Sequence, residues 1–180
     1  MALLHFLAIL ATFTSLAAAS VPVTLHAVTG NPYLSHVGLY ALHEGAGTSY
    51  FFLGSRGDYK GDILHYDRAN GSFHTDFALS TPPYYLTVLD HVVQFTESRP
   101  DFGISVTPMG LFSIAGSTKN FFACKEDVIR DPFGYSRSHY VAMYFPAEVP
   151  VSCVPFSIRV KSVTVPVEEQ QVLRRARRQF

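Results

Sequence analysis

Asp62-Ile63-Leu64-His65-Tyr66-Asp67-Arg68-Ala69-Asn70-Gly71-Ser72-Phe73 carries alternating apolar and polar side chains on either side of an Asn-Gly pair. Alternation with a period of two is a half-buried strand, and Asn-Gly between two such runs is the strongest short-range hairpin signal. Read as a two-residue turn, Asn70-Gly71 sets Asp67 opposite His74 and His65 opposite Asp76. Leu64, Tyr66, Phe73 and Phe77 then share the buried face.

A second stretch, Asp101-Phe102-Gly103-Ile104-Ser105-Val106-Thr107-Pro108-Met109-Gly110-Leu111-Phe112, aligns with the first, Gly110 falling where Gly71 falls. Each hairpin leads to a Ser-Thr pair, Ser80-Thr81 or Ser117-Thr118, and then to an aromatic strand, Tyr84-Tyr85 or Phe121-Phe122. A first copy begins at Gly38-Leu39-Tyr40 and continues through Thr48-Ser49 to Tyr50-Phe51-Phe52. Three copies of about 35 to 40 residues with roughly four strands each is the arithmetic of a β-trefoil. A two-sheet sandwich built from the same strands is the alternative.

Working outward, strands are expected at His36–His43, Ser49–Leu53, Ile63–Asp67, Ser72–Ala78, Tyr84–Leu89, Val92–Thr96, Phe102–Val106, Leu111–Ile114, Asn120–Cys124, Tyr140–Phe145 and Pro155–Val163. No helical period occurs before the last dozen residues, so the expected class is all-β. The expected organisation is a signal peptide over 1–19, an extended segment over 20–35, one β domain over 36–167 and a charged tail over 168–180.

The leader expectation rests on MALLHFLAILATFTSLAAA, an apolar run that is too short to span a membrane and ends in small residues. The tail places Glu168 and Glu169 before Arg174, Arg175, Arg177 and Arg178, an order that suits a helix dipole if it is helical rather than frayed. Its dibasic pairs are also candidate processing sites.

Composition narrows the function. With 14 Lys+Arg against 14 Asp+Glu the formal charge is zero, and a neutral chain lacks the basic field that dominates nucleic-acid affinity. No nucleic-acid partner is expected. A content of 48% hydrophobic and 14% aromatic residues is enough for a packed core and excludes wholesale disorder.

Two cysteines, Cys124 and Cys153, in a chain with a secretory leader read as one disulfide. Asn70-Gly71-Ser72 is an N-glycosylation sequon on an accessible turn. The hairpin face of His65, Asp67, His74 and Asp76 has zinc-ligand chemistry, but cross-strand charge pairing explains it without a metal, so neither metal nor cofactor is expected. Arg56-Gly57-Asp58 in a Gly-rich loop could engage a receptor if displayed, and turn chemistry accounts for it equally.

No nucleophile is equipped: Ser136 in Gly134-Tyr135-Ser136-Arg137-Ser138 lacks the second glycine of a nucleophile elbow, and His139 has no acidic orienter in view. Asp58, Asp62, Glu97 and Asp101 are scattered and name no glycosidase pair. No enzyme is expected. Tyr33, Tyr59, Tyr84, Tyr85 and Tyr135 flank turns and could stack on sugar rings, with Tyr84 and Tyr85 the leading ligand contacts.

Phe102-Gly-Ile-Ser-Val106, Leu111-Phe-Ser-Ile-Ala-Gly116, Asn120-Phe-Phe-Ala-Cys124, Tyr140-Val-Ala-Met143 and Cys153 before Phe156-Ser-Ile-Arg-Val160 together resemble the fungal cell wall protein PhiA and its secreted relatives. Gly38-Leu-Tyr-Ala-Leu-His-Glu-Gly45 resembles that family's first strand. The resemblance implies a secreted, non-enzymatic wall component whose partners are wall polysaccharide or wall glycoproteins, and it brings no catalytic residues. A lectin-like or inhibitor-like module acting on another organism is the alternative, and a glycan-acting enzyme stands behind it.

Overall fold

The computed structural model describes residues 20–45, 47–75, 83–98, 103–125, 129 and 131–164. The expected leader, the tail, and Asp76, Phe77, Ser80, Thr81, Asp101 and Phe102 lie outside them. Among the described residues the strands are β1 Val21–Val28, β2 Leu39–Gly45, β3 Thr48–Leu53, β4 Leu64–Asp67, β5 Ser72–Thr75, β6 Tyr84–Leu89, β7 Val92–Thr96, β8 Ile104–Val106, β9 Phe112–Ile114, β10 Phe121–Cys124, β11 Tyr140–Tyr144 and β12 Val154–Ser162. Ten of them form one antiparallel sheet in the order β10-β12-β1-β4-β5-β6-β7-β11-β3-β2, and β8 and β9 form a small second sheet. The all-β class read from the sequence is the class observed.

Two features bend this sheet round a core. Strand β10 pairs with both β11 and β12, joining the early part of the strand order to its far side. Strands β3, β7 and β11 also pair with one another. They are the second strands of the hairpins β2–β3, β6–β7 and β10–β11, and they are four apart in chain order.

Below them, β4 pairs with β5, β8 with β9, and β12 with β1. The turn glycines link these pairs in a matching way. Gly71 sits so close to β8 that a Cβ there would come 2.5 Å from the Ile104 carbonyl, while the Gly110 carbonyl accepts the Val160 N–H of β12 at 2.8 Å.

The main core fills the space enclosed, with Leu25, Leu39, Phe51, Leu64, Phe73, Leu86, Phe95, Phe112, Phe121 and Ile158 fully or nearly fully buried. Aromatic rings meet at its centre: Tyr66 stacks on Phe73 at 4.5 Å, and Phe112 tilts between Phe73 and Phe121. A second, smaller core packs Phe52, Val92, Cys124, Val141, Met143 and Phe145 on the outer face of β3, β10 and β11.

Three expectations are corrected here. Residues 20–35 are not a lead-in to a domain starting at 36, because β1 supplies Val23, Leu25 and Ala27 to the core and pairs with β12 and β4. Their alternation with Thr24 and His26 was the readable signal. The hairpin at Asn70 is wider than a two-residue turn: Asp67 pairs with Ser72 and His65 with His74. The Asp67 carboxylate accepts the Ala69 and Asn70 N–H groups, and this side-chain cap closes a four-residue turn. A shift of two residues keeps alternate side chains on their expected faces, so the burial of Leu64, Tyr66 and Phe73 is as read. Finally, Leu39–Gly45 is the first strand of a hairpin with β3, not a copy of β4–β5. Strand β12 pairs with β1, the two drawn from opposite ends of the domain.

Candidate functional site

Asp131-Pro132-Phe133-Gly134 is a turn built from its own chemistry: Asp131 caps the backbone, Pro132 presets φ, and Gly134 takes φ 72°. The Asp131 carboxylate accepts N–H groups from Phe133 at 3.0 Å, Gly134 at 2.8 Å and Ser136. A short 3-10 turn, Tyr135–Arg137, follows.

Beneath this loop, β2 sends Tyr40, Leu42 and Glu44 to one face, where a carboxyl replaces the apolar side chain the pattern predicts. Glu44 is 6% exposed, no N–H or O–H donor reaches its Oε1, and its Oε2 receives the Phe133 N–H at 3.4 Å. The pairing of β2 with β3 is irregular here, between His43 and Gly45.

The two carboxyls are pushed apart in acidity. Burial, then the hydrogen bond and charge of Asp131, raise Glu44 to about 7, against the pull of the Phe133 N–H. Burial also pushes Asp131 upward, but hydrogen bonds from Ser136, Glu44 and Gly134 outweigh it and hold the group below the usual carboxylate range. Glu44 therefore keeps its proton well above the usual glutamate range, where Asp131 is ionised. Burial, and next the charges of Glu44, Asp131 and Asp90, raise the Tyr50 hydroxyl.

Above the carboxyls the loop shows aromatic rings. Phe133 is 59% and Tyr135 38% exposed, with ring centroids 6.2 Å apart. Tyr135 and His139 both meet buried Phe52 edge-on, at 6.0 and 6.4 Å. The Ser138 hydroxyl and His139 Nδ1 lie 2.8 Å apart at the rim. The Cys124–Cys153 disulfide, expected from the cysteine count, is present and anchors the second core below the loop.

A raised Glu beside an ionised Asp is an acid–base pattern. Here the raised carboxyl is buried beneath the loop, and both carboxyls accept the Phe133 N–H of that loop. Exposed rings beside hydroxyl and imidazole groups have the chemistry for shallow contact with a sugar ring.

The structure disperses the residues singled out from sequence. Tyr84 and Tyr85 are consecutive in β6 and so point to opposite faces: the Tyr84 hydroxyl donates to Glu97 at 3.2 Å, and Tyr85 lies by His74. They do not form one platform. His65 and His74 stack at 5.5 Å, and among the described residues no cluster of three or more metal-ligating groups occurs. Asn70 is exposed, with its amide donating to Asp67. Arg56 lies over the exposed Tyr33 ring, Asp58 accepts the Lys60 N–H, and Asp62 accepts the Ala41 N–H at 2.7 Å. Tyr59 is exposed. Ser136 is fully buried, and the hydroxyl beside His139 is that of Ser138. Among the described residues no helix is long and apolar enough to cross a membrane.

Glu44, Asp131 and Phe133 were not singled out in the sequence. The signals were a glutamate on the apolar face of a strand and an Asp-Pro-Phe-Gly turn, but the contact between them is tertiary.

No protein-family model matches the chain, and no solved structure matches it. Two curated proteins of Candida albicans are similar. Cell wall protein RHD3 is 29% identical over 144 residues, covering 76% of this chain and 65% of the relative. Cell wall protein PGA30 is 28% identical over 157 residues, covering 86% of this chain and 53% of the relative. The chain thus spans between about half and two thirds of the length of these relatives.

Proposed function

We propose that this chain is a secreted, non-enzymatic component of a fungal cell wall, retained by contacts with wall polysaccharide or neighbouring wall proteins. The observation that carries the reading is the similarity to two wall proteins across most of the β domain. Residues 1–19 act as the secretory leader in this reading, and the disulfide suits the oxidising route it implies. The narrower likeness to PhiA-type proteins rests on the strand-and-cysteine pattern alone. The three meeting hairpins form the cap of a β-trefoil, three copies of a four-strand unit.

The polysaccharide contact in this reading is the Phe133–Tyr135 surface, because it combines adjacent exposed rings with a polar rim. Such shallow sites are weak singly, and retention comes from repeated ligands on an insoluble polymer. Incubation of the purified domain with insoluble glucan, chitin and mannan tests this. Retention on at least one polymer is expected, falling several-fold when Phe133 and Tyr135 are both changed to Ala. Release of soluble sugar that one carboxylate substitution abolishes would establish an enzyme and reject the reading.

A further inference from the structure

We propose that Glu44 and Asp131 share one proton and latch the 131–139 loop to β2, so that the Phe133–Tyr135 surface is ordered below neutral pH and loosens above it. This rests on the assignment of that surface as the polysaccharide contact.

Three N–H groups converge on Asp131, which fits it to stay ionised, whereas Glu44 is buried with no N–H or O–H donor on Oε1 and only one long N–H contact on Oε2. A buried, poorly solvated carboxyl beside an ionised one retains its proton, and the protonated form donates to the neighbour. Among the described residues, the groups facing Glu44 are Asp131 from the loop and Tyr50 from β3. Asp90, from the β6–β7 turn, acts on Tyr50 in turn. The loop's own cation is Arg137, whose guanidinium lies beside Gly134.

Loss of the shared proton places two negative charges together in a poorly solvated site, and the movable partner is the loop. The Phe133 N–H reaches both carboxyls, so the turn bearing the exposed ring registers the change directly. A divalent cation fits less well, since it would face the three N–H groups already pointing at Asp131.

Amide hydrogen exchange of Phe133, Gly134 and Ser136, corrected for intrinsic rate and followed by NMR from pH 5.5 to 8.5, tests the latch without any ligand. Protection is expected to fall at least tenfold across the range in the unaltered chain and to stay level in Glu44→Gln, whose amide donates at every pH. A flat profile in the unaltered chain, an equal fall in Glu44→Gln, or protection at pH 8.5 restored by calcium would overturn the proposal. If Glu44→Gln does not fold, the 13C carboxyl resonance of Glu44 in the unaltered chain decides: titration near 7 supports the latch, and titration in the ordinary glutamate range rejects it. Retention on polymer at pH 5.5 and 8.5 separates the two readings. Exchange that follows pH in a chain no polymer retains leaves the latch standing and removes the binding surface; retention with pH-indifferent exchange does the reverse.

Discussion

Glu44 and Asp131 meet under a single backbone donor: the Phe133 N–H lies 3.0 Å from Asp131 Oδ1 and 3.4 Å from Glu44 Oε2. One strand residue and one loop residue thereby form a single titrating unit.

A glutamate raised to about 7 when folded destabilises the fold as pH rises from its ordinary value toward 7, because the unfolded chain releases the proton first. Asp131 is lowered, so its stabilising contribution is present above the ordinary aspartate value and is lost as pH falls through its folded value. Stability is therefore expected to peak at mildly acidic pH, with a loss of about 2 kcal/mol by pH 8 after solvent screening. Urea midpoints at pH 3, 5 and 8 check it, and a midpoint rising steadily to pH 8 would contradict it.

Cys124 and Cys153 close a loop of 29 residues. In the chain-entropy model such a bridge contributes about 3.5 kcal/mol. Peptide mapping without reduction is expected to show the linked pair. Changing both cysteines to Ala is expected to lower stability by about that amount and to raise exchange in the loop above the second core.

Phe73 is fully buried between Tyr66 and Phe112. Phe73→Ala is expected to cost about 3–5 kcal/mol, through lost burial and the cavity left behind. Tyr33→Ala, at a ring 63% exposed, is expected to stay within about 0.5 kcal/mol. Similar denaturation midpoints for the two variants would mean that the aromatic centre is not the core.

Gly38 lets two backbone segments cross, since a Cβ there would sit 1.8 Å from the Lys60 carbonyl oxygen. Its N–H donates to Asp58 and its carbonyl accepts from Gly54, so the segments cannot part without losing these bonds. Gly38→Ala is expected to cost more than about 2 kcal/mol, while Gly103→Ala, with open space around it, is expected to be close to neutral. Thermal melts of the two variants provide the comparison.

Much of this fold was legible in alternation and turn residues. Tyr84–Leu89 and Val92–Thr96 are strands as read, since a period of two and the residues between them are local properties of the chain. The disulfide was legible because two cysteines allow only one pairing. What the chain order concealed is whatever joins distant segments. Strand β1 completes its pairing with β12 from the other end of the domain, and a local repeat search cannot find a unit split between two ends. Tyr84 and Tyr85 read as one aromatic pair until the pleat turned them to opposite faces. The carboxyl pair belonged wholly to tertiary structure: Glu44 and Asp131 have ordinary acidities in isolation, and only burial of one against the N–H-bound other separates them.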